Sequence, residues 1–198
     1  MIERKITIDT DNQSLIDALA GATNLSKQSL KSALDKGCVW LKTGKKINRI
    51  RRIKKPLKIG NEVFIYFNEK ILSSIPSQPT LLLDKNSYSI WFKPAGVFSQ
   101  GSKWGDHCAL TRLVEKKLDR PTFLVHRLDR ATSGLMILTH SKTMARELSK
   151  LFADRLIKKT YLAIVAGDFP HKKISLNTDI DGKHALSHIS KLVQNSQK

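Results

Sequence analysis

Hydrophobic and polar positions recur along the chain with two different periods, and each period predicts a different kind of element. Within residues 26–36, the side chains of Leu30, Ala33 and Leu34 lie three or four positions apart, which is the spacing of one helical face. The segment begins with a serine, a residue type that caps helices, and it is followed by Gly37, a residue type that ends them. We therefore predict an amphipathic helix over residues 26–36.

Short apolar runs bounded by turn residues predict β-strands. The clearest run, residues 62–67, follows Gly60 and Asn61 and is rich in aromatic and β-branched side chains. Similar runs predict strands at residues 38–41, 81–83, 88–92 and 158–167.

Two later segments return to the helical period. They predict helices at residues 108–118 and 143–152. The second helix is expected to bury four apolar side chains, Met144, Leu148, Leu151 and Phe152. Because strands outnumber helices, the pattern favours an α+β fold built on a mostly antiparallel sheet with flanking helices.

A polar, serine-rich segment divides the chain. Residues 68–80 contain Pro76 and Pro79 and lack apolar periodicity, which is typical of a linker. We therefore predict a small α/β domain at residues 1–67 and a second, mostly antiparallel domain at residues 81–198.

The chain carries a large excess of positive charge. It has 35 basic and 17 acidic residues, which gives a formal net charge of +18 over 198 residues. A field of this size attracts nucleic acids or anionic membranes. No apolar run approaches the roughly 20 residues that a spanning helix needs, and the N-terminus lacks the apolar core of a signal peptide. We therefore expect a nucleic acid, and not a membrane, as the partner.

The cysteines and histidines predict neither disulfides nor a metal site. Cys38 and Cys108 are far apart in the sequence, which is typical of a protein from the reducing cytoplasm. His184 and His188 are spaced to share a helical face, but no third ligand lies nearby, so we expect no bound metal.

The positive charge is densest in residues 42–58, which contain nine lysines and arginines and no acidic residue. Cations this close repel one another unless a polyanion neutralises them, so we expect phosphate contacts here instead of a merely solvated face. The predicted RNA contacts in this basic loop are Lys45, Lys46, Arg49, Arg51 and Arg52.

The order of elements before the linker resembles a known RNA-binding motif. A helix beginning at Leu25-Ser26-Lys27, a strand, a basic loop and a last strand after Gly60-Asn61 are similar to the alpha-L motif, first described in a small-subunit ribosomal protein. The resemblance implies that residues 1–67 bind RNA and that Lys27 takes part.

The most specific motif is His126-Arg127-Leu128-Asp129, followed by Thr132-Ser133-Gly134-Leu135. Its carboxylate lies between Arg127 and Arg130, whose positive charges are expected to keep it ionised. All eight positions match the signature of the RluA-type RNA pseudouridine synthases. The segment Lys93-Pro94-Ala95-Gly96 also resembles the opening of that family's catalytic domain.

This resemblance implies that the chain isomerises uridine to pseudouridine in structured ribosomal or transfer RNA, without a cofactor. Asp129 would be the catalytic carboxylate, either as a nucleophile at ribose C1′ or as a base that removes a ribose proton, and the sequence leaves both open. Arg127 would take the place of the flipped uridine and hold phosphate, and Tyr161 would stack on the flipped base. His126 is expected to have a structural role.

Two other functions compete with this interpretation. After residue 185 nothing resembles the family's arginine-containing element, so we expect the catalytic domain to be truncated at its C-terminus. This expectation favours, as the alternative, a non-catalytic RNA-binding protein such as a decayed synthase or a ribosome-assembly factor. A DNA-binding protein is less favoured because no recognition helix stands out. The target uridine and the oligomeric state stay open.

Overall fold

The computed structural model describes residues 1–52, 57–167, 169, 172–182 and 184–193. The chain divides into two compact units, Met1–Ile157 and Lys158–Lys198. The first unit contains, in chain order, β1 (Ile2–Thr7), α1 (Leu15–Thr23), α2 (Lys27–Asp35), β2 (Val39–Thr43), β3 (Lys46–Arg49), β4 (Glu62–Phe67), α3 (Glu69–Leu72), β5 (Thr80–Asp84), β6 (Tyr88–Lys93), α4 (Leu110–Leu118), β7 (Phe123–Leu124), β8 (Gly134–Thr139) and α5 (Lys142–Ala153). The second unit contains β9 (Lys173–Asn177) and β10 (Leu186–Ser190).

A four-stranded antiparallel sheet in the order β1-β4-β2-β3 forms the N-terminal part of the first unit. Successive side chains of a strand point to opposite faces, so alternate residues of β4 can share one buried face. Val63 and Ile65 of that strand are buried in a hydrophobic cluster together with Leu30 and Leu34 of α2. Burial of this face holds the two N-terminal helices on one side of the sheet.

The helix predicted over residues 26–36 is confirmed as α2. The Ser26 hydroxyl accepts a hydrogen bond from the Ser29 backbone N–H at 3.1 Å, and this bond caps the first turn. After the helix, Gly37 has a φ of +78°, which glycine adopts at little cost. The strands predicted at residues 38–41 and 62–67 are found as β2 and β4.

Two segments contain more regular structure than their composition predicts. Part of the basic loop forms β3, because it pairs with β2 in an antiparallel hairpin that turns at Gly44. The expected linker contains α3, because Asn68 caps the helix by accepting a hydrogen bond from the Ile71 N–H at 3.3 Å, and Leu72 is buried in the N-terminal cluster. Residues 53–56 of the basic loop lie outside the described residues.

A second four-stranded antiparallel sheet, in the order β5-β6-β8-β7, forms the rest of the first unit. Trp91 and Met136 from its two central strands pack with Leu110 and Val114 of α4 in a separate hydrophobic cluster. This mixed architecture of helices and antiparallel sheets agrees with the predicted fold class.

The predicted strands at residues 81–83 and 88–92 and the predicted helices at residues 108–118 and 143–152 are found as β5, β6, α4 and α5. The packing predicted for α5 is wrong. Met144, Leu148 and Phe152 are only half-buried, and Leu151 is exposed. The helix packs mainly against β7 and β8, and this contact covers only part of its apolar face.

The second unit contains an antiparallel hairpin of β9 and β10. The strand predicted at residues 158–167 is wrong. A strand needs a neighbour to bond its backbone groups, and this segment pairs with no strand among the residues that the structure describes. Its Leu162 and Ile164 side chains are accordingly exposed. His188 lies on β10, so it shares no helical face with His184.

The first unit has two separate hydrophobic clusters. One is formed by residues between Ile8 and Leu72, and the other by residues between Trp91 and Leu138. Most of the predicted linker lies between them, but the division into domains at residues 68–80 stays a prediction. Among the described residues, none of the helices combines the length and the apolar character needed to cross a membrane.

The central strand β6 ends in a buried lysine. The Lys93 side chain is fully covered, and its ammonium donates hydrogen bonds to the carbonyl oxygens of Val97 at 2.8 Å and Pro94 at 3.2 Å. Burial lowers the pKa of Lys93, and attraction to the Asp129 carboxylate opposes that shift. Burial of the charged ammonium therefore lowers the free energy of unfolding, and this loss disappears when the amine is neutral.

We expect Lys93→Met to change how stability depends on pH. Between the folded-state pKa of Lys93 and its unfolded value of about 10.4, the unfolded chain binds the extra proton, so the free energy of unfolding should rise with pH. The Lys93→Met variant should lack that rise, whereas Lys150→Met, which removes an exposed lysine on α5, should keep it. Urea unfolding at a series of pH values below about 10.4 measures the difference. Parallel curves for the native protein and Lys93→Met would contradict this expectation.

Candidate active site

The two motifs singled out in the sequence meet at one end of the second sheet. Strands β6 and β8 pair over six residues each, and the last pair joins Lys93 to Gly134. Two chain segments therefore leave the sheet side by side at this end. They are residues 94–99, which follow β6, and residues 125–133, which precede β8. The Lys-Pro-Ala-Gly segment is thus placed next to the signature that contains Asp129.

Asp129 lies at the first position of a tight turn. Its carbonyl oxygen accepts a hydrogen bond from the Thr132 N–H at 3.1 Å, the bond that closes a β-turn. The Asp129 side chain is exposed. A carboxylate in this position can reach a substrate without a rearrangement of the core.

The backbone on both sides of Asp129 is hydrogen-bonded to the segment that follows β6. The Ser99 hydroxyl donates to the carbonyl oxygen of Leu128 and accepts from the Leu128 N–H at 3.0 Å. The Gly96 N–H donates to the carbonyl oxygen of Arg130 at 2.7 Å. The turn is therefore fixed at the residues before and after Asp129, while the carboxylate stays free of these bonds.

Lys93 is a functional candidate that the sequence analysis misses. Its buried ammonium attracts the Asp129 carboxylate, so the site contains a positive charge inside the protein. The signal that could have found it is a lysine that ends an apolar strand directly before Pro94. A lysine at such a position cannot reach solvent as easily as one in a loop.

The expected pairing of Asp129 with its two neighbouring arginines is wrong. The Arg130 Nε donates to the Gly96 carbonyl oxygen at 3.3 Å, and its guanidinium lies 4.9 Å from the centre of the Phe98 ring. Arg127 is exposed, and neither arginine makes an ion pair within the described part of the chain. Neighbours in sequence point their side chains in different directions in a non-helical backbone, so adjacency does not bring the charges together. The substrate-binding role of Arg127 stays a prediction.

His126 has contacts that fit the structural role predicted for it. Its Nε2 accepts a hydrogen bond from the Ile137 N–H at 2.9 Å. Its ring stacks on Phe152, with ring centres 4.4 Å apart and an interplanar angle of 26°. The signature is thereby tied to both β8 and α5.

Tyr161 belongs to the second unit and is 59% exposed. It lies in the segment where the predicted strand is not found. Its role in stacking on the flipped base therefore stays a prediction.

Two of the arginines predicted to bind RNA are held by an acid of the protein. The Arg49 Nη1 lies 3.1 Å from Asp106 Oδ2, and Arg51 donates to the same oxygen. Burial lowers the pKa of Arg49, and the carboxylate of Asp106 opposes this shift. Lys42 of the same loop pairs with Glu62 at 2.5 Å. The argument that only a polyanion could neutralise the loop is wrong for these residues, because the acids come from other parts of the chain.

The other predicted RNA contacts are exposed. Lys45, Lys46 and Arg52 are open to solvent around the β2–β3 hairpin. Lys27 is also exposed, and it pairs with Asp17 at 2.7 Å. These four cations are available to phosphate, and their role in RNA binding stays a prediction.

The structure describes both cysteines, and burial raises the pKa of each thiol. Nowhere in the described ranges do three histidine, cysteine or acidic side chains come close enough to hold a metal ion. Burial raises the pKa of the Cys38 thiol to about 12, so this cysteine stays protonated and unreactive.

Residues 87–198, which include Asp129, match the family model described as RNA pseudouridylate synthase. An uncharacterised RNA pseudouridine synthase of Mycoplasma pneumoniae is 29% identical over 174 residues, covering 84% of this chain and 54% of that protein. Ribosomal large subunit pseudouridine synthase C of Buchnera aphidicola is 31% identical over 157 residues, covering 69% of this chain and 45% of that protein.

A tRNA pseudouridine synthase C of Haemophilus ducreyi is 35% identical over 83 residues, covering 40% of this chain and 34% of that protein. The chain thus spans about half the length, or less, of these curated relatives. A solved human structure, RNA pseudouridylate synthase domain containing 4, is 29% identical to this chain. The match covers 39% of this chain and 30% of the human chain. Its TM-score of 0.33 supports no argument about the fold. Because the family model matches more than half of its residues, the chain belongs to the RNA pseudouridylate synthase family.

Proposed function

We propose that the protein isomerises uridine to pseudouridine in structured ribosomal or transfer RNA, with Asp129 as the catalytic carboxylate. The observation that carries the proposal is an exposed aspartate on a turn whose flanking residues, Leu128 and Arg130, are both hydrogen-bonded to residues 96–99. A turn whose backbone is fixed in this way keeps its position before the substrate arrives, and a fixed starting geometry favours efficient catalysis. The names of the Buchnera and Haemophilus relatives support ribosomal or transfer RNA as the substrate class.

The reaction breaks the bond between ribose C1′ and N1 of uracil and forms a new bond between C1′ and C5. C5 then loses its hydrogen as a proton and N1 gains a proton, so the product is an isomer of the substrate. One carboxylate is sufficient for either route: it attacks C1′, or it removes a ribose proton so that the base can leave. No oxidation or reduction takes place, so the isomerisation is proposed to need no cofactor. The exposed position of Asp129 suits both routes, since either one brings the carboxylate to the sugar.

The uridine must leave the RNA stack before its ribose can reach Asp129, at a cost of a few kcal/mol. We assign to Arg127 the place of the flipped base and contact with a phosphate, because its side chain is exposed and it belongs to the same signature as Asp129. Tyr161 is proposed to stack on the flipped base. Its ring is 59% exposed and therefore open to a ligand.

Residues 1–67 are proposed to bind RNA in the manner of the alpha-L motif. The similarity to the Mycoplasma protein covers 84% of the chain, more than residues 87–198 contain, so it extends into the segment before residue 87. The exposed cations Lys27, Lys45, Lys46 and Arg52 lie in that part of the chain. RNA binding by both parts would hold a structured substrate in a single orientation.

Asp129→Asn should abolish pseudouridine formation and leave RNA affinity nearly unchanged, because the amide keeps the shape of the side chain but neither attacks C1′ nor accepts a proton. Pseudouridine is measured in a ribosomal or transfer RNA transcript after incubation with each variant. Asp154→Asn, which changes an exposed aspartate after α5, serves as the matched control and should stay active.

Retained activity in Asp129→Asn would remove Asp129 from the mechanism. A native chain that binds the transcript and forms no pseudouridine would instead support the alternative function, a non-catalytic RNA-binding protein.

The combined substitution of Lys45, Lys46 and Arg52 by alanine should weaken RNA binding and flatten its salt dependence. Each lost phosphate contact should reduce the slope of log affinity against log salt by about 0.7 to 0.9, because fewer counterions are released. Arg49 and Arg51 are left in place because Asp106 already binds them.

The control for this experiment removes the same charge from α5, at the exposed residues Lys142, Arg146 and Lys150. Equal slopes for the two triple variants would show that net charge alone determines binding. The basic hairpin would then have no specific role in RNA recognition.

A further inference from the structure

We propose that Ser99 is a positioning residue for Asp129, and that residues 99–106, the 99–106 segment, connect it to the N-terminal sheet. The inference rests on the proposed function of Asp129 and names what holds that residue in place. One end of the segment contacts the Asp129 turn, and the other end contacts arginines of the N-terminal part.

Ser99 contacts the turn through a single buried hydroxyl. The residue is 5% exposed, and its Oγ donates to the Leu128 carbonyl oxygen and accepts from the Leu128 N–H at 3.0 Å. One side chain therefore bonds both backbone polar groups of the residue that precedes Asp129. Unpartnered buried groups of this kind are costly, so loss of the hydroxyl favours a different backbone conformation at Leu128.

A second contact holds the backbone on the other side of Asp129. Together with the Ser99 bonds to Leu128 it forms what we call the frame of the turn. The Gly96 N–H donates to the Arg130 carbonyl oxygen at 2.7 Å, so Leu128 and Arg130 are both held by the chain that leaves β6. Rotation of the Asp129 backbone requires that at least one of these contacts breaks. The Ser99 side chain bonds the backbone of the residue directly before Asp129, and this contact can be removed by substitution.

The far end of the 99–106 segment is held by the N-terminal sheet. Asp106 binds Arg49, at 3.1 Å, and Arg51. Arg49 also donates to the Ser102 carbonyl oxygen at 2.8 Å, and the Trp40 indole N–H donates to the Lys103 carbonyl oxygen at 3.1 Å. The side chains of Arg49 and Asp106 are each 15% exposed, so salt screens this contact less than it screens a surface ion pair.

The path from Arg49 to the backbone beside Asp129 runs through the Asp106 ion pair, the backbone of the 99–106 segment and the Ser99 hydroxyl. This path gives Arg49 and Arg51 a role other than phosphate binding, which is to position the 99–106 segment. If they position the segment, their partner Asp106 affects the rate of the chemical step. If they bind phosphate, loss of Asp106 frees them and strengthens RNA affinity instead.

The first test compares Ser99→Ala with Ser99→Thr and with Ser89→Ala. Ser89 is also buried, and its hydroxyl bonds Trp91 and His140 without touching the Asp129 turn. Three quantities are measured: amide hydrogen exchange at Leu128, RNA affinity, and the single-turnover rate of pseudouridine formation at saturating RNA.

In Ser99→Ala, exchange at Leu128 should become at least about tenfold faster, because the N–H loses its acceptor. The single-turnover rate should fall by about 10- to 100-fold with unchanged RNA affinity, which is the size of effect that a displacement of about 1 Å produces. Ser99→Thr keeps the hydroxyl and should recover most of the rate. Ser89→Ala should match the native protein at Leu128 and in rate.

The second test removes the far contact with Asp106→Asn, which keeps the side-chain shape and loses the charge. Exchange at Leu128 should rise and the rate should fall, both by less than in Ser99→Ala, while RNA affinity stays constant. The matched control is Glu3→Gln, which breaks the exposed Glu3–Lys103 ion pair between the same two regions without touching the arginines. This control should behave like the native protein.

The outcomes separate the inference from the proposed function. Unchanged exchange at Leu128 in Ser99→Ala overturns the positioning role, whatever the activity. Faster exchange with an unchanged rate also overturns it and leaves the function of Asp129 intact. Stronger RNA binding by Asp106→Asn at a native rate overturns the connection to the N-terminal sheet.

If Ser99→Ala does not fold, Asp106→Asn still decides between these outcomes. A native chain without activity overturns the proposed function, and exchange at Leu128 then still shows whether Ser99 holds the turn.

Discussion

The arrangement of the site depends on the pairing of β6 with β8. Trp91 and Met136 are opposite each other in this ladder and both are fully buried. A slip of one residue would turn these side chains away from the core, so burial fixes the register. With that register set, Lys93 is opposite Gly134, and the chain that follows one strand leaves the sheet beside the chain that precedes the other. The hydrogen bonds around Asp129 are a consequence of this placement.

Sequence periodicity predicts the elements whose signals are local. Helix α2 contains its cap, its apolar face and its final glycine within twelve residues, and β4 is a compact apolar run. Strand β7 has only two residues and exists because β8 lies beside it, so its own sequence carries little signal. The strand prediction for residues 158–167 is wrong although the local signal is present. Their apolar pattern is typical of a strand, but a strand also requires a neighbouring strand to pair with.

The same contrast holds at the candidate site. Features encoded by contiguous residues can be predicted, and contacts between residues far apart in the sequence cannot. The signature identifies Asp129 because its residues are contiguous. The neutralisation of Arg49 and Arg51 by Asp106 could not be predicted, because 55 positions separate Arg51 from that acid. The burial of the Lys93 ammonium is similarly hidden, since it depends on the chain around it. Charge runs therefore identify cations well and identify their partners poorly.

The exposed lysines of the β2–β3 hairpin lie at the edge of the N-terminal sheet. Strand β3 lies at the edge of the N-terminal sheet, where unpaired backbone groups and the half-exposed side chain of Ile47 could attract a strand from another molecule. Lys45 and Lys46 beside it repel a second copy that carries the same charges. These charges therefore act against pairing of two copies through β3, and a natural variant with a neutral hairpin would need a bulge, a proline or a covering loop at this edge.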